Sequence, residues 1–347
     1  MSAAATPVDA PVEREAGPPV ADRFEGRVPH AGWRVIAAKE LGDHLLSVRF
    51  IVLLIVLGLA AAIPLYFAAD LIRAAAPQAS AAPAVFLALF TIGSQDYSFL
   101  RVDSFVAIVA PLLGLAFAFD AINGERSEGT LPRLLAQPIY RDDVINGKFA
   151  AGLAVIGVVL VAVIGIIAGF GIFRLGIVPD SEEIVRLVTW IAVTFVYVGL
   201  WLAFGLLLSV GIRRAATSAL VGFGTWLLLS FFGGLIVSLI NGVVAPLTAT
   251  SGEDILKNVG LREMLQRLLP DTLYREASLT LLNPQVTSVS TPATLGQYAQ
   301  AQQRIPSLFS LDQSFILIWP QVVGLVALTV ACFALAYVLF MRQEVRA

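Results

Sequence analysis

Gly147-Lys148 is where this chain comes nearest to nucleotide chemistry, since a phosphate-binding loop ends in the same dipeptide. Such a loop reads G-x-x-x-x-G-K followed by Ser or Thr, so that backbone N–H groups cradle phosphates and a hydroxyl reaches magnesium. Here Phe149 follows the lysine and the upstream glycine is missing, so ATP is not bound by that device. The only histidines are His30 and His44, and the only cysteine, Cys332, lies in an apolar run. This leaves no ligand set for a haem, iron–sulfur or zinc centre. The long apolar runs hold no carboxylate pair and no Ser–His pair, so no catalytic, cofactor-binding or metal-binding residue is assigned and the chain is not expected to be an enzyme. Ionisable groups are absent from mid-run altogether, which argues against a proton-coupled carrier.

What the residues do offer is an ordered charged stretch, Asp120–Phe149, with five acidic and four basic residues between two apolar runs. Gly129 can take positive φ and end a helix that carries Glu125 and Glu128. Thr130 is placed to cap a short helix with Pro132 in its first turn. Leu131, Leu134 and Leu135 fall at i, i+3 and i+4 and give it one apolar face. Pro138 stops it, and Asp142 or Asp143 caps the next helix. The expected element is a stiff helix of one to two turns, held between two membrane helices by rigid corners and rimmed by Arg133 and Arg141. The plain alternative is a solvated loop.

Glu125, Gly129-Thr130-Leu131, Leu134-Leu135, Pro138, Arg141 and Gly147-Lys148 together resemble the pattern E-x-x-x-G-T-L-x-x-L-L-x-x-P-x-x-R-x-x-x-x-x-G-K. That pattern marks permease subunits of ABC-2 type ATP-binding cassette transporters. The resemblance implies that the short helix is a coupling helix docked in a cleft of a separate ATPase subunit. Its interface would comprise Glu125, Glu128, Gly129, Thr130, Leu131, Arg133, Leu134, Leu135, Pro138, Arg141 and Lys148. It also implies a second permease chain, identical or related, with ATP and magnesium held by the partner ATPase and a transported substrate that the sequence does not name. Transport would be outward, as efflux. Two readings compete: a secondary carrier or channel that works without an ATPase, and a membrane anchor or signalling subunit.

The elements that must hold this stretch follow from hydropathy. Apolar residues make up 58% of the 347 and charged ones 14%, against about 25% charged in a soluble domain. The fold class is an all-α polytopic membrane protein in a lipid bilayer. A net charge of −2 gives no signature for nucleic acid. Residues 1–29 lack an apolar signal core and read as a disordered cytoplasmic tail. Residues 30–49 read as an interfacial amphipathic helix with Trp33, Ala37, Leu41, Leu45 and Val48 in its apolar stripe and Lys39, Glu40, Asp43 and Ser47 opposite. Residues 50–240 hold five transmembrane helices and the coupling segment 120–149. Residues 241–314 form a small helical extracytoplasmic domain, and 315–347 the sixth transmembrane helix and the C-terminus. The spans are Ile51–Ala69, Ser104–Phe119, Phe149–Phe173, Leu187–Ile212, Ala215–Ile240 and Phe315–Met341.

Lys and Arg number six, four, two and two in the segments that face one side, against two in each short loop on the other. The positive-inside rule then puts both termini and the charged stretch in the cytoplasm of a multi-pass plasma-membrane protein. Ala84–Leu100 is too short to span and reads as re-entrant or surface-lying. Gly165 and Gly169 in the third span, and Gly199 and Ala203 in the fourth, are read as packing positions within the chain. Ser218, Thr225, Ser230 and Ser238 on the fifth span are candidates for lining a translocation path, with hydroxyl back-bonding to the helix as the plain alternative.

Overall fold

The computed structural model describes residues 32–79, 85–91, 101–135, 139–246, 252–284 and 310–343. Among the described residues every regular element is a helix. Five helices are long and apolar enough to cross a membrane: Val102–Ser127, Arg141–Arg174, Ser181–Gly211, Ala215–Val244 and Leu311–Arg342. A bent pair, Gly32–Leu45 and Val48–Ile63, passes the same test only when taken as one unit, with 65° between its arms. In chain order the elements are α1 (Gly32–Leu45), α2 (Val48–Ala79), α3 (Val85–Thr91) and α4 (Val102–Ala118). Then come α5 (Asn123–Ser127), α6 (Leu131–Leu135), α7 (Arg141–Leu175) and α8 (Ser181–Gly211). The last are α9 (Ala215–Leu227), a wide π segment Leu228–Phe232, α10 (Gly233–Val244), α11 (Gly252–Gln266), α12 (Pro270–Leu282) and α13 (Leu311–Arg342).

Helix α8 is the centre of the bundle and packs against α4, α7, α9, α12 and α13. Its Trp190, Tyr197, Val198, Leu202, Leu206 and Val210 are all buried, so apolar residues line most of its circumference, as a fully enclosed helix requires. Helices α9, α10 and α13 leave most of their apolar surface uncovered. Gly199 meets Leu153 and Ala203 is fully buried, as expected of packing positions. Gly165 and Gly169 do otherwise, because a Cβ at either would meet nothing within 4 Å.

The helices run past their apolar windows, and their first turns carry charge into buried places. Asp103, Glu183 and Arg186 are each less than a tenth exposed. All three are paired. Arg101 grips Asp103 through two bonds of 3.0 and 2.6 Å. Glu183 accepts the Phe86 N–H at 2.7 Å and the Asp180 N–H at 3.0 Å, so one carboxylate caps α3 and closes the start of α8. Arg186 donates to Glu182 and to Ser314 at the start of α13. Helix α3 is the head of the stretch expected to be re-entrant, and Phe86, Leu87, Leu89 and Phe90 bury it completely. Residues 92–100 lie outside the described residues, as do 1–31 and most of Thr287–Ser314.

Within the segment 241–314, α12 lies against the membrane helices. Leu273, Tyr274, Ala277 and Leu281 are buried in the bundle, and α12 packs on α8 and α13. Tyr274 stacks on Tyr197 with ring centroids 4.4 Å apart and shares a 2.9 Å hydrogen bond with Thr194. Ser278 accepts the Trp190 indole N–H at 2.9 Å. The physical reason is a narrow apolar stripe at i, i+1, i+4 and i+8, too thin for a core of its own but enough to seat one helix against α8 and α13, with α3 and α4 beside it.

Candidate functional site

The charged stretch folds as a corner at one end of the bundle. Helix α4 turns through Phe119–Ile122 into α5. The start of α5 is capped from α8, since Ser209 Oγ accepts the N–H groups of Ile122 at 2.9 Å and Asn123 at 3.2 Å. Asn123 Nδ2 donates to the Ile212 carbonyl at 3.2 Å. These contacts bridge more than 80 residues, so no local spacing could have pointed to Ser209.

Helix α5 ends as the sequence suggested. Gly129 has φ 70°, its N–H donates to Arg126 O at 3.3 Å, and the Thr130 N–H donates to Glu125 O at 3.0 Å. This is a full Schellman closure, which an L residue at 129 would strain. Thr130 does not use its hydroxyl to cap α6. The hydroxyl donates back to Glu125 O at 3.2 Å, while the Thr130 carbonyl accepts the Leu134 N–H. Ser127, Glu128, Gly129 and Thr130 are exposed at the tip of the corner.

The apolar face of α6 is shared between the chain and its surroundings. Leu131 is 2% exposed, so it anchors the helix on its own bundle. Leu134 is half-buried at the edge of the core. The side chains of Arg133 and Leu135, and Pro138 altogether, fall outside what is described. Arg141 turns inward: its guanidinium lies 5.7 Å from the Phe340 ring and donates to the Gln343 carbonyl at 2.8 Å.

The Gly-Lys dipeptide binds helices rather than phosphate. A Cβ at Gly147 would sit 2.7 Å from Ile36 Cβ and 2.9 Å from the Trp33 carbonyl, so glycine is what lets α1 lie across α7. The next residue, Lys148, has a side chain 5% exposed and pairs with Glu40 of α1 at 3.0 Å and Glu125 of α5 at 2.6 Å. One buried ammonium therefore ties three elements together. Asp143 adds a second tie. Its Oδ1 accepts the Trp33 N–H at 3.0 Å and its Oδ2 the Tyr140 N–H at 3.4 Å, so the starts of α1 and α7 share one anion. Arg49 reaches Asp120 at 2.6 Å and lies over Phe119. His44 meets Phe117 edge-on at 5.1 Å, and burial holds its imidazole below the usual histidine range.

Helix α1 packs on the bundle along one row, and Leu41 of the apolar stripe takes part in that contact. The row Gly32, Ile36, Glu40 and His44 turns inward, while Trp33 and Val48 are 37% and 74% exposed. Glu40, read as part of the polar face, is drawn in by Lys148, a partner far away in sequence.

The four hydroxyls from α9 to α10 differ in burial. Ser218 is buried, Thr225 and Ser230 are half-buried and Ser238 is exposed. The Ser218 and Ser230 hydroxyls are buried without a hydrogen-bond partner. A cavity of about 200 Å³ lies elsewhere, between α2 and α7, lined by Gly58, Ala61, Tyr66, Val163, Ile167 and Phe170 among others.

Residues 34–345 match the family described as ABC-2 family transporter protein. The chain belongs to that family. The match begins inside α1 and runs past the end of α13, so it takes in every helix of the bundle together with the corner. Among curated relatives, the chain is similar to the probable ABC transporter permease protein NosY of Stutzerimonas stutzeri, 28% identical over 183 residues. That alignment covers 51% of this chain and 61% of the relative. The protein of the same description from Pseudomonas aeruginosa is 36% identical over 87 residues, 24% of this chain and 30% of the relative. The ABC-2 corner is thus a membrane protein's corner, and Lys148, Glu40, Glu125 and Asp143 hold its helices together.

Proposed function

We propose that this ABC-2 chain is the membrane-spanning permease subunit of an ATP-driven exporter, with hydrolysis carried out by a separate cassette ATPase that holds ATP and magnesium. Helix α2 serves as the first of six spans, with α4, α7, α8, α9–α10 and α13 as the rest. Both termini and the corner face the cytoplasm of the plasma membrane, on the strength of the Lys/Arg asymmetry. Two permease chains pair with two ATPase subunits.

The observation that carries this reading is the Glu40–Lys148–Glu125 triad. It ties the helix before the first span, the segment before the exposed corner and a long span into one body. A push on Glu128–Leu134 therefore reaches α1 and α7 without slack, which is what conversion of an ATPase movement into a rearrangement of spans requires. Leu134, with the exposed tip Glu128–Thr130, is the surface offered to the ATPase. The buried Leu131 keeps the helix seated on its own bundle.

Leu134→Asp tests the proposal, because it places an unpaired charge in the docked face. The full-length variant is expected to insert normally and to lose co-purification of its cassette ATPase. Gly129→Val is expected to keep much of that association and to lose transport-coupled ATP hydrolysis. Wild-type co-purification and transport by Leu134→Asp would overturn the coupling assignment.

A further inference from the structure

Five arginines crowd the same end of the bundle. Arg126 is on α5, Arg141 starts α7, Arg213 and Arg214 join α8 to α9, and Arg342 ends α13. Two of them converge on one neutral residue. Arg126 Nη2 donates to Gln343 Oε1, and Arg141 Nη2 donates to Gln343 O at 2.8 Å. Gln343 Nε2 in turn donates to the Val210 carbonyl at 2.7 Å, which fixes the group against α8. The Arg141 Nε–H is buried without a partner.

The cluster has no counter-charge among the described residues. No ion pair there involves any of the five arginines. The carboxylates of the corner are spoken for or stand apart. Asp120 goes to Arg49, Glu125 to Lys148, and Asp143 to two backbone N–H groups. Glu128 and Asp142 form no ion pair either. Two half-buried guanidiniums held together by an amide are an arrangement that calls for an anion.

Depth says which anion. Arg213 and Arg214 lie between Gly211 and Ala215, the facing ends of two membrane-length helices, and Arg342 ends a third, while Gln343 holds Arg126 and Arg141 beside Val210, one residue from the end of α8. That is the level of the lipid phosphates. A headgroup reaches it by lateral diffusion. We infer that the arginine cluster around Gln343 binds the phosphate of an anionic phospholipid, the guanidinium forks of Arg126 and Arg141 holding its oxygens and Arg213, Arg214 and Arg342 supplying the surrounding field.

The test uses the full-length protein in detergent, with phosphatidylglycerol, phosphatidylcholine or inorganic phosphate added at equal concentration and adducts counted by native mass spectrometry. Phosphatidylglycerol is retained in preference to phosphatidylcholine, and inorganic phosphate does not displace it. Arg126→Gln with Arg141→Gln lowers retention. Because these residues also hold Gln343, a second pair keeps the test independent of folding. Arg213 and Arg214 are exposed and make no side-chain hydrogen bond among the described residues. Their double change to Gln lowers phosphatidylglycerol retention roughly tenfold with the melting temperature in phosphatidylcholine unchanged. Equal retention of the two lipids, or wild-type retention by the Arg213/Arg214 variant, overturns the inference. Displacement by inorganic phosphate points to a free-anion site and overturns the lipid assignment. Loss of ATPase co-purification in the Arg213/Arg214 variant, with lipid retention unchanged, assigns the cluster to a protein partner and overturns it as well.

Discussion

Gly147 lies directly beneath Ile36, so that a single added Cβ would stand 2.7 Å from the isoleucine Cβ. The contact sets how closely α1 crosses α7, and it brings Glu40 within reach of Lys148 one residue further on. Gly147→Ala is expected to push α1 outward and lower stability by about 1–3 kcal/mol, the usual cost of overpacking. The Gly147→Ala/Ile36→Gly double variant should lose less than the sum of the two single changes, since the Ile36 Cβ and Cγ2 are then gone and only the Trp33 carbonyl opposes the methyl. Thermal unfolding of the two variants in detergent measures it. Full additivity of the two changes would mean that the residues do not touch.

Lys148→Met leaves Glu40 and Glu125 facing each other with no cation between them. Removing one partner from a buried ion pair costs about 3–5 kcal/mol. Changing Lys148 to Met, and Glu40 and Glu125 to Gln, in one protein should restore most of that loss, because no uncompensated charge remains. Melting temperatures of the single and triple variants check it.

The His44 response to pH has a definite sign. Burial lowers its pKa in the folded protein, with the Glu40, Asp120, Lys148 and Arg49 charges around it as smaller influences of both signs. The unfolded chain then binds the proton more readily than the folded one. Stability is full above the ordinary histidine value of about 6.5 and is lost as pH falls through the lower folded pKa. His44→Gln should flatten this acid-side decline, as read by melting temperature against pH between about 7.5 and 5. An unchanged slope would assign the decline to other groups.

Tyr274→Ala removes a ring stacked on Tyr197 and empties a fully buried site. The expected loss is about 3–5 kcal/mol, felt by the whole bundle because α12 is wedged against α8 and α13. A variant whose bundle melts as wild type, while only the 252–284 segment becomes sensitive to protease, would show that α12 is an appendage.

How much of this was legible beforehand depended on the range of the interaction. The turn at Gly129 and the short helix after it could be placed because a Schellman closure and a helix start are written within a few residues of one another. The long apolar helices could be located because their hydropathy is equally local. Glu40, Ser209 and Gln343 could not be placed. Each is polar and finds its partner 86 to 217 residues away. The packing of α12 was equally unreadable, since the apolar residues of a mixed helix say nothing about what they will meet. Gly165 and Gly169 show the converse, a motif that is plain in the sequence and has nothing against it within the chain.

The carboxylate of Asp143 closes the start of α1 from 110 residues downstream. At synthesis rates of about 5–20 residues per second, α1 waits roughly 5–20 s for the group that finishes it. Through that interval the N–H of Trp33 lacks its acceptor, and Glu40 has only the exposed Lys39 beside it. Helix α1 is thus made well before the group that sets it, and its docking records that α7 has begun correctly.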